Sequence, residues 1–334
     1  MSYVNLGGTG VRVSRLCLGA MMFGGPTNEP DSARIIHRAL EAGINFVDTA
    51  NVYNAGESEV VTGRAIRDRR DQVVLATKVN GPMGEGPNER GLSRVSILRE
   101  CEASLRRLGT DYIDLYYMHQ VDYSTPLEES LRAMDDLVRS GKVRYVGCSN
   151  FYAYQIALGQ GIADRRNLEP FTCVQPLYNI VNRDIEVELL PFCQQNGVGV
   201  VPYSPLARGV LTGKYLPGQA PPEGSRAARG DRRIHQTELR DESYEVAQKL
   251  APLAEAHGCT LSQFALAWVL ANPIVTSAIV GPRTMEQLED NLPALEVKLT
   301  ADDERAVDEL VPLGCRTGRG FNDPNYPVRG RPSV

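Results

Sequence analysis

Four residues of complementary chemistry follow apolar runs in the first 120 residues of the chain. Asp48 ends the run NFVD, Lys78 ends VVLATK, His119 ends IDLYYMH, and Tyr53 comes five residues after Asp48. Apolar runs of this length are typical of buried strands, and the carboxyl ends of parallel strands converge on one mouth in a barrel. We therefore expect these four side chains, here called the proton-handling set, to lie together.

The chemistry that this set predicts is the polarisation of a carbonyl group. A phenol has an ordinary pKa of about 10, so Tyr53 needs a nearby positive charge to act near neutral pH. Lys78 can supply that charge, and the Asp48 carboxylate favours the ammonium form in a partly dry pocket. His119 can then donate a hydrogen bond to a carbonyl oxygen as negative charge develops there.

Each member of the set also has an ordinary structural interpretation. Asp48 and Lys78 alone could form a buried ion pair, and a histidine after an apolar strand is often a core residue. Tyr53 alone could belong to the surface or the core. The conjunction favours a functional site, because all four residues fall where strand ends meet.

The elements that must position these residues alternate between strand and helix. Strand-like runs begin near residues 16, 45, 73, 113, 143, 173, 199 and 277, with helical segments between them, most clearly at 31–42, 93–108, 126–140 and 185–196. This alternation predicts an α/β fold with a parallel sheet, and eight units favour a closed (β/α)8 TIM barrel over an open sheet. A β-hairpin at 3–13 precedes the barrel, and we expect a single domain over 1–334.

Two further segments are expected near the barrel mouth. Residues 214–242, after the seventh strand, are rich in Pro, Gly and Arg. A long loop in a compact domain is usually functional or disordered, and we predict a lid over the mouth. The tail, 314–334, has a similar composition and carries Phe321 and Tyr326. It is predicted to cover the mouth, with a frayed end as the alternative.

Composition and charge disfavour several classes of function. The net charge is −5 and the pI is near 5.6, whereas a nucleic-acid binder needs a clustered basic excess. The seven cysteines form no C-x-x-C pair, which argues against a zinc site or a disulfide framework. No targeting segment and no long apolar span is present in the sequence. We expect a cytoplasmic protein with a small-molecule partner and no metal, nucleic-acid or membrane partner.

Five short motifs occur in a specific order along the chain. They are DTANVY at 48–53, TK at 77–78, YMH at 117–119, GCSN at 147–150 and YSPLARGVLTGK at 203–214. In this order and spacing the chain resembles the aldo-keto reductase superfamily, near the branch of bacterial aldehyde and sugar reductases and potassium-channel beta subunits. The proton-handling set aligns with that family's catalytic tetrad, in which the tyrosine is the general acid in reduction. The resemblance implies NADPH-dependent reduction of aldehydes or ketones to alcohols.

Carbonyl reduction also needs a hydride donor, which no side chain supplies, so a nicotinamide cofactor is required. No G-x-G-x-x-G motif opens a helix after the first strand, so a Rossmann site is not indicated. Barrels bind phosphate groups at the loops after strands seven and eight, beside a helix amino terminus. The residues predicted there are Tyr203, Ser204, Leu206, Arg208, Gly209, Leu211, Lys214, Gly281, Arg283, Gln287, Asp290 and Asn291.

The resemblance assigns more specific roles to some residues. It implies that Ser149, Asn150 and Gln175 hold the nicotinamide carboxamide and that Tyr203 stacks on the ring. Arg283 stands where the family has side chains that meet the adenosine 2′-phosphate, which implies NADPH in preference to NADH. Two departures are that Gly281-Pro282 replaces a Lys-Ser pair of some relatives and that Gln287 stands where some carry arginine.

Residues soon after strand ends are candidates for substrate contact. They combine apolar side chains with a few polar ones, which leaves reactive aldehydes, sugar-derived carbonyls and polycyclic ketones open. The predicted substrate residues are Met22, Phe23, Met83, Gln120, Tyr123 and Phe151, with Phe321 from the tail.

Three other functions stay open. One is a cofactor-binding regulatory subunit with little turnover, and another is an alcohol or sugar dehydrogenase that works in the oxidative direction. The third is a barrel hydrolase that uses paired carboxylates such as Asp48 and Asp114. A retaining glycosidase needs its carboxyl groups about 5 to 5.5 Å apart.

Overall fold

The computed structural model describes residues 1–318 and 321–327, and the chain packs into two compact units. Unit 1 comprises Met1–Pro176, Glu188–Tyr203 and Pro273–Glu289, and unit 2 comprises Leu177–Val187, Ser204–Asn272 and the chain from Asp290 onward. The predicted single domain and tail include residues 319, 320 and 328–334, which lie outside the described residues. No helix within the described ranges is long and apolar enough to cross a membrane.

Unit 1 contains all the strands of the described chain. A two-stranded antiparallel hairpin is followed by an eight-stranded parallel sheet of spatial order β10-β3-β4-β5-β6-β7-β8-β9. The strands are β1 (Tyr3–Asn5), β2 (Arg12–Ser14), β3 (Leu16–Gly19), β4 (Phe46–Asp48), β5 (Val74–Val79), β6 (Ile113–Met118), β7 (Val143–Ser149), β8 (Phe171–Gln175), β9 (Gly199–Val200) and β10 (Ala278–Val280).

The sheet closes on itself between its first and last strands. Val200 in β9 forms a parallel bridge with Val275, and the Ile279 N–H of β10 donates to the Pro202 carbonyl at 2.9 Å. The predicted (β/α)8 TIM barrel with an amino-terminal hairpin is therefore confirmed.

Helices follow the strands of unit 1 as the alternation predicts. Short polar residues begin two of them: the Asn28 side chain caps α1, and the Ser93 side chain caps α3, which ends at Gly109 with a left-handed φ of 64°. The predicted helix at 185–196 begins only at Leu189, since Asp184–Glu186 form a separate 3-10 turn. The helices are α1 (Glu29–Glu41), α2 (Glu57–Ile66), α3 (Arg94–Leu108), α4 (Leu127–Arg139), α5 (Ala153–Arg166) and α6 (Leu189–Asn196), with α10 (Met285–Asn291) beginning in this unit.

The hairpin closes the amino-terminal end of the barrel. Leu6 in its turn is fully buried in the barrel core, and the Gly8 N–H donates to the Gly197 carbonyl at 2.7 Å. At Gly7 a side chain would meet the Thr172 carbonyl oxygen at 2.4 Å, and φ is 57°, so this close approach requires glycine. With this end filled, the carboxyl ends of the strands are the face that can hold a site.

Unit 2 is helical and contains a buried arginine that two carboxylates hold. Arg183 is 2% exposed, pairs with Glu186 at 3.0 Å and Asp308 at 2.8 Å, and lies over the Trp268 ring at 5.1 Å. A buried arginine held by two carboxylates satisfies the rule that buried charges are paired. The helices of this unit are α7 (Arg232–Gln236), α8 (Asp241–Ala256), α9 (Leu261–Ala271) and α11 (Ala301–Leu310).

The loop after the seventh strand and the tail both have ordered contacts inside unit 2. The loop contains α7, and Arg233 of that helix pairs with Asp323 of the tail at 2.7 Å. The Arg240 guanidinium lies 4.6 Å from the centre of the Phe321 ring. That these two segments lie over the barrel mouth stays a prediction.

Candidate active site

The structure brings the proton-handling set together at the carboxyl ends of unit 1 strands. Asp48 is the last residue of β4, Lys78 is next to last in β5, and His119 directly follows β6. Tyr53 begins a 3-10 turn after β4, in which Asn54 and Ala55 have left-handed φ angles of 49° and 54°. This irregular turn makes the connection to α2 short and leaves Tyr53 beside the end of β5.

Lys78 is the centre of the set. Its side chain is fully buried, and Nζ donates to Asp48 Oδ1 at 2.5 Å, to the Thr49 carbonyl at 2.7 Å and to the Tyr53 hydroxyl at 3.4 Å. Burial acts to lower the pKa of Lys78, but the charges and hydrogen bonds of Asp48 and Tyr53 hold that pKa above its ordinary value of 10.5. Lys78 is therefore an ammonium ion in contact with a phenol.

His119 faces Tyr53 across the mouth. The two rings are in edge contact, with centres 5.8 Å apart. The imidazole keeps some exposed surface, yet burial and then the Lys78 ammonium lower the pKa of His119 to about 3. A neutral imidazole can donate one N–H to a carbonyl oxygen without carrying a charge itself.

The lowered pKa of His119 predicts how stability depends on pH. Between about 6.5, its ordinary value, and about 3, the unfolded chain binds a proton that the folded chain does not. As far as His119 is concerned, the free energy of unfolding is therefore highest above pH 6.5. It decreases by up to about 1.4 kcal/mol for each pH unit below that value. Urea unfolding of His119→Gln across this range should show a slope smaller by one proton. His37→Gln, at an exposed position, is the matched control, and equal slopes for wild type and His119→Gln would contradict the prediction.

The residues predicted to hold the nicotinamide carboxamide adjoin the set in unit 1. Gln175 Nε2 donates to Asp48 Oδ2 at 2.9 Å, and Ser149 Oγ donates to the Gln175 carbonyl at 2.8 Å. Asn150, with a left-handed φ of 58°, donates to the His119 carbonyl at 3.1 Å and accepts from the Tyr203 hydroxyl at 2.9 Å. One hydrogen-bonded network therefore joins these residues to the proton-handling set.

The remaining cofactor candidates of unit 1 follow β10. Gly281 is exposed, and Arg283 and Gln287 are half-buried. The Gln287 side chain accepts from the Arg283 backbone N–H at 2.8 Å, and the Arg283 carbonyl accepts from Thr27 Oγ1 at 3.0 Å. The backbone N–H and carbonyl of Arg283 are therefore both hydrogen-bonded, and the Gln287 amide oxygen already accepts a bond from the protein.

Unit 2 contains the predicted phosphate segment that follows the seventh strand. Several of its residues are in the left-handed region, and the N–H groups of Ala207, Gly209 and Gly213 donate to backbone carbonyls of the same segment. A side chain at Gly209 would lie 3.1 Å from the Lys214 ammonium. The left-handed residues are Ser204, Ala207, Arg208, Gly209 and Gly213.

Other predicted residues of unit 2 have structural contacts. Arg208 pairs with Glu238 at 2.9 Å, and Leu211 is fully buried while Leu206 is half-buried. Asp290 accepts from Thr260 Oγ1 and Gln263 Nε2, the two side chains that cap α9, and Asn291 is only 4% exposed. Phe321 contacts arginines of its own unit.

The predicted substrate residues of unit 1 divide into two groups. Gln120 and Tyr123 are exposed and line a cavity of about 400 Å³, and Met22 and Met83 are half-buried. Phe23 has no exposed surface and Phe151 is 4% exposed. The Phe151 ring makes an edge contact with the ring of Phe171, at the start of β8, with centres 5.7 Å apart. Neither phenylalanine offers surface to a substrate in this structure.

Sequence reasoning missed the residues that brace the strand ends. Glu59 on α2 is fully buried and accepts from Thr77 Oγ1 at 2.5 Å and from Arg107 Nε at 2.6 Å. These bonds tie the helix that follows Tyr53 to the strand that carries Lys78. In the sequence Glu59 is an acidic residue in the first turn of a helix, which is also typical of an exposed surface.

The carboxylate pair of the hydrolase alternative is not assembled. Asp114 pairs with Arg70 at 2.7 Å and accepts from the Leu75 backbone N–H at 2.9 Å, while Asp48 is bound to Lys78 and Gln175. The described arrangement is instead a phenol between an ammonium ion and a neutral imidazole. Such a group can deliver a proton to an oxygen that gains negative charge.

Comparisons with known proteins agree with this geometry. The Aldo/keto reductase family profile matches residues 15–312. The chain is 43% identical over 323 residues to the uncharacterized oxidoreductase YrpG of Bacillus subtilis, covering 93% of this chain and 96% of that protein. It is 40% identical to a probable voltage-gated potassium channel subunit beta of Arabidopsis thaliana, covering 89% and 92%, and 35% identical to the aldo-keto reductase AMT2 of Alternaria alternata, covering 92% and 91%.

The matched region includes every strand of the barrel and all four residues of the proton-handling set. The matches with these relatives cover about nine-tenths of both chains. The chain therefore belongs to the aldo/keto reductase family and is an NAD(P)H-dependent oxidoreductase.

Proposed function

We propose that this protein reduces aldehydes or ketones to alcohols with NADPH and that Tyr53 is the general acid. The observation that carries the proposal is the contact between the buried Lys78 ammonium and the Tyr53 hydroxyl, at 3.4 Å. A phenol beside a buried ammonium releases its proton more readily than a phenol in water. The Lys78 ammonium has no role in delivering a hydride, whereas it favours proton release from the phenol. We therefore assign the contact to proton transfer.

The chain's own residues divide the work as follows. Tyr53 donates its proton to the carbonyl oxygen of the substrate, and Lys78 stabilises the phenolate that results. Asp48 keeps Lys78 charged, and neutral His119 donates a hydrogen bond that orients the carbonyl oxygen. In alcohol oxidation the same groups work in reverse, with the Tyr53 phenolate as the base.

The residues present fit a nicotinamide dinucleotide. The cofactor, when bound, supplies the hydride. In unit 1 the amides of Asn150 and Gln175 and the hydroxyl of Ser149 offer both donors and acceptors, as a carboxamide requires. In unit 2 the Lys214 ammonium, close to the turn at Gly209, would suit a phosphate group because it supplies a positive charge.

The preference for NADPH depends on Arg283 in this proposal. Arg283→Ala should weaken binding of NADPH more than that of NADH, by about 1 to 3 kcal/mol, because a charge-assisted hydrogen bond to the 2′-phosphate is lost. Fluorescence titration with both cofactors measures the difference. Arg34→Ala, which removes an arginine that is 74% exposed on α1, is the control. Equal losses for both cofactors would refute the assignment of Arg283 to the phosphate.

We infer polar substrates in preference to polycyclic ones from a cavity that lies beside these strand ends, although the proton-handling set does not line it. It begins at Asn80 and Gln120, which bond to each other directly after the strands of Lys78 and His119. Amide, hydroxyl and charged groups dominate its lining, whereas sites for apolar ligands are lined by hydrophobic side chains. The lining residues are Asn80, Pro87, Asn88, Arg90, Gly91, Ser93, Gln120, Val121, Asp122, Tyr123, Ser124 and Thr125.

The test of this function is NADPH oxidation with a panel of carbonyl compounds. We expect turnover with aldehydes, with glyceraldehyde and other hydroxylated carbonyls preferred to hexanal and to a polycyclic ketone. Absence of turnover with every compound, in protein that binds NADPH, would refute the reductase proposal. A preference for the polycyclic ketone would refute only the substrate class.

A second function has one specific observation in its favour. Two relatives at 40% and 39% identity are named probable voltage-gated potassium channel beta subunits, from Arabidopsis thaliana and Oryza sativa. A regulatory subunit that binds the cofactor with little turnover would give NADPH binding and a flat trace in the same panel. That outcome would favour this alternative.

A further inference from the structure

The Asp48 carboxylate divides its two oxygens between two different donors. Lys78 Nζ donates to Oδ1 at 2.5 Å, and Gln175 Nε2 donates to Oδ2 at 2.9 Å. All three side chains are nearly inaccessible to solvent, with exposures of 0 to 3%. No bulk water replaces either donor in such a place, so the Gln175 amide is part of the charge balance of the set.

We propose that Gln175 is a positioning residue of the proton-handling set, because its amide N–H offsets part of the Asp48 charge and so fixes how strongly Tyr53 ionises. The inference deepens the proposed function and rests on Tyr53 acting as the acid. Gln175 is predicted to hold the nicotinamide carboxamide. The inference gives it a second role, in setting the ionisation of Tyr53. The same side chain would then connect the cofactor residues to the proton-transfer residues.

The sign of the effect follows from the positions of the groups. The Tyr53 phenolate is stabilised by the Lys78 ammonium and opposed by the Asp48 carboxylate. Removing the Gln175 N–H dipole leaves more of the Asp48 charge uncompensated. The potential at the Tyr53 oxygen becomes more negative, so the phenolate is less stable and the phenol keeps its proton to higher pH.

The other titratable groups near Asp48 do not replace the effect of the Gln175 amide on the Asp48 charge. Cys17 on β3, Tyr117 on β6 and Cys173 on β8 face it across the barrel interior, and burial raises the pKa of each, that of Cys173 to about 12. These three groups are neutral at working pH. Glu59 on α2 is turned to Thr77 and Arg107, and His119 is neutral at the pH of the assay.

The backbone of Gln175 is held independently of its side chain. Its carbonyl accepts from Ser149 Oγ at 2.8 Å and from the Asn150 N–H at 3.2 Å. Strand β8 should therefore keep its position when the amide is replaced. Substitution of the side chain tests the amide and not the strand.

The experiment measures the ionisation of Tyr53 directly in the ligand-free protein. Tyrosine labelled with ¹³C at Cζ is titrated by NMR, and the Tyr53 signal is assigned by its loss in Tyr53→Phe. We expect the Tyr53 midpoint in Gln175→Leu to rise by about half to one pH unit, the shift that corresponds to one offset hydrogen bond. Gln175→Met, which keeps the length of the side chain, provides a second variant should Gln175→Leu fail to fold.

Gln160→Leu is the matched control. Gln160 bonds the backbone of Phe171 at the opposite end of β8, through a donated bond of 3.1 Å and an accepted bond of 3.0 Å. Its loss removes an amide of α5 that is bonded to the other end of the strand that carries Gln175. We expect an unchanged Tyr53 midpoint in this variant.

Steady-state kinetics provide the second readout. In the Gln175 variants the alkaline limb of kcat/KM for reduction should move to higher pH with the NMR midpoint, whereas a purely structural defect lowers the rate equally at all pH values. A Tyr53 midpoint equal to wild type in a folded Gln175 variant overturns the inference. A shifted midpoint in a protein that reduces no carbonyl compound supports the inference and refutes the proposed function.

Discussion

Tyr53→Phe should lower kcat for carbonyl reduction by about 10² to 10⁴-fold, the range for loss of a general acid. The phenyl ring keeps the edge contact with His119 and the shape of the mouth. It lacks the hydroxyl that lies 3.4 Å from Lys78. Because the acid acts in the transition state, kcat and kcat/KM should fall together while NADPH affinity stays nearly unchanged.

Single-turnover and steady-state assays with one aldehyde, together with NADPH titration, measure both quantities. Tyr154→Phe is the matched control, since it removes a phenol that is 59% exposed in the same unit. We expect Tyr154→Phe to retain kcat within a few-fold. Wild-type activity in Tyr53→Phe would remove Tyr53 from the mechanism.

Lys78→Met should abolish measurable turnover and also destabilise the fold by about 3 to 5 kcal/mol. The substitution leaves the Asp48 carboxylate buried without its ion-pair partner, which is the costly half of such a pair. Gln175 remains as one donor to that carboxylate, but a neutral amide offsets only part of a full charge. Urea unfolding at neutral pH measures the loss.

The double variant Asp48→Asn/Lys78→Met separates stability from catalysis. It removes both charges, so most of the lost free energy of unfolding should return. Activity should stay absent, because neither the ammonium nor its counter-ion is present. If the double variant recovered turnover along with stability, Lys78 would have a structural role alone.

Both predictions depend on an arrangement whose members are far apart in the chain. Asp48, Lys78 and His119 come from three consecutive strands, and parallel register sets their ends side by side. The spacing of apolar runs was sufficient to predict this convergence. Strand residues point alternately to the two faces of the sheet, and the strand-end positions of these three residues put them at the same edge.

The barrel itself was also predictable from the spacing of strands and helices. The expected strand starts agree with those observed within two residues, because a buried parallel strand is a short apolar run with helical pattern on either side. Helices α2 and α5 were less visible. Their apolar residues do not form a clear stripe; α5 includes Gly159, where a side chain would meet the Phe171 ring at 2.6 Å.

What the sequence could not reveal are the contacts that depend on distance in space. Nothing in the order of residues indicates that Gln175 donates to Asp48, that Glu59 braces Thr77, or that Phe23 turns into the core. Residue types and strand order follow from local pattern, since periodicity records which face is buried. The partner of a buried polar group depends instead on how strands, turns and helices pack, and hence on the folded chain as a whole.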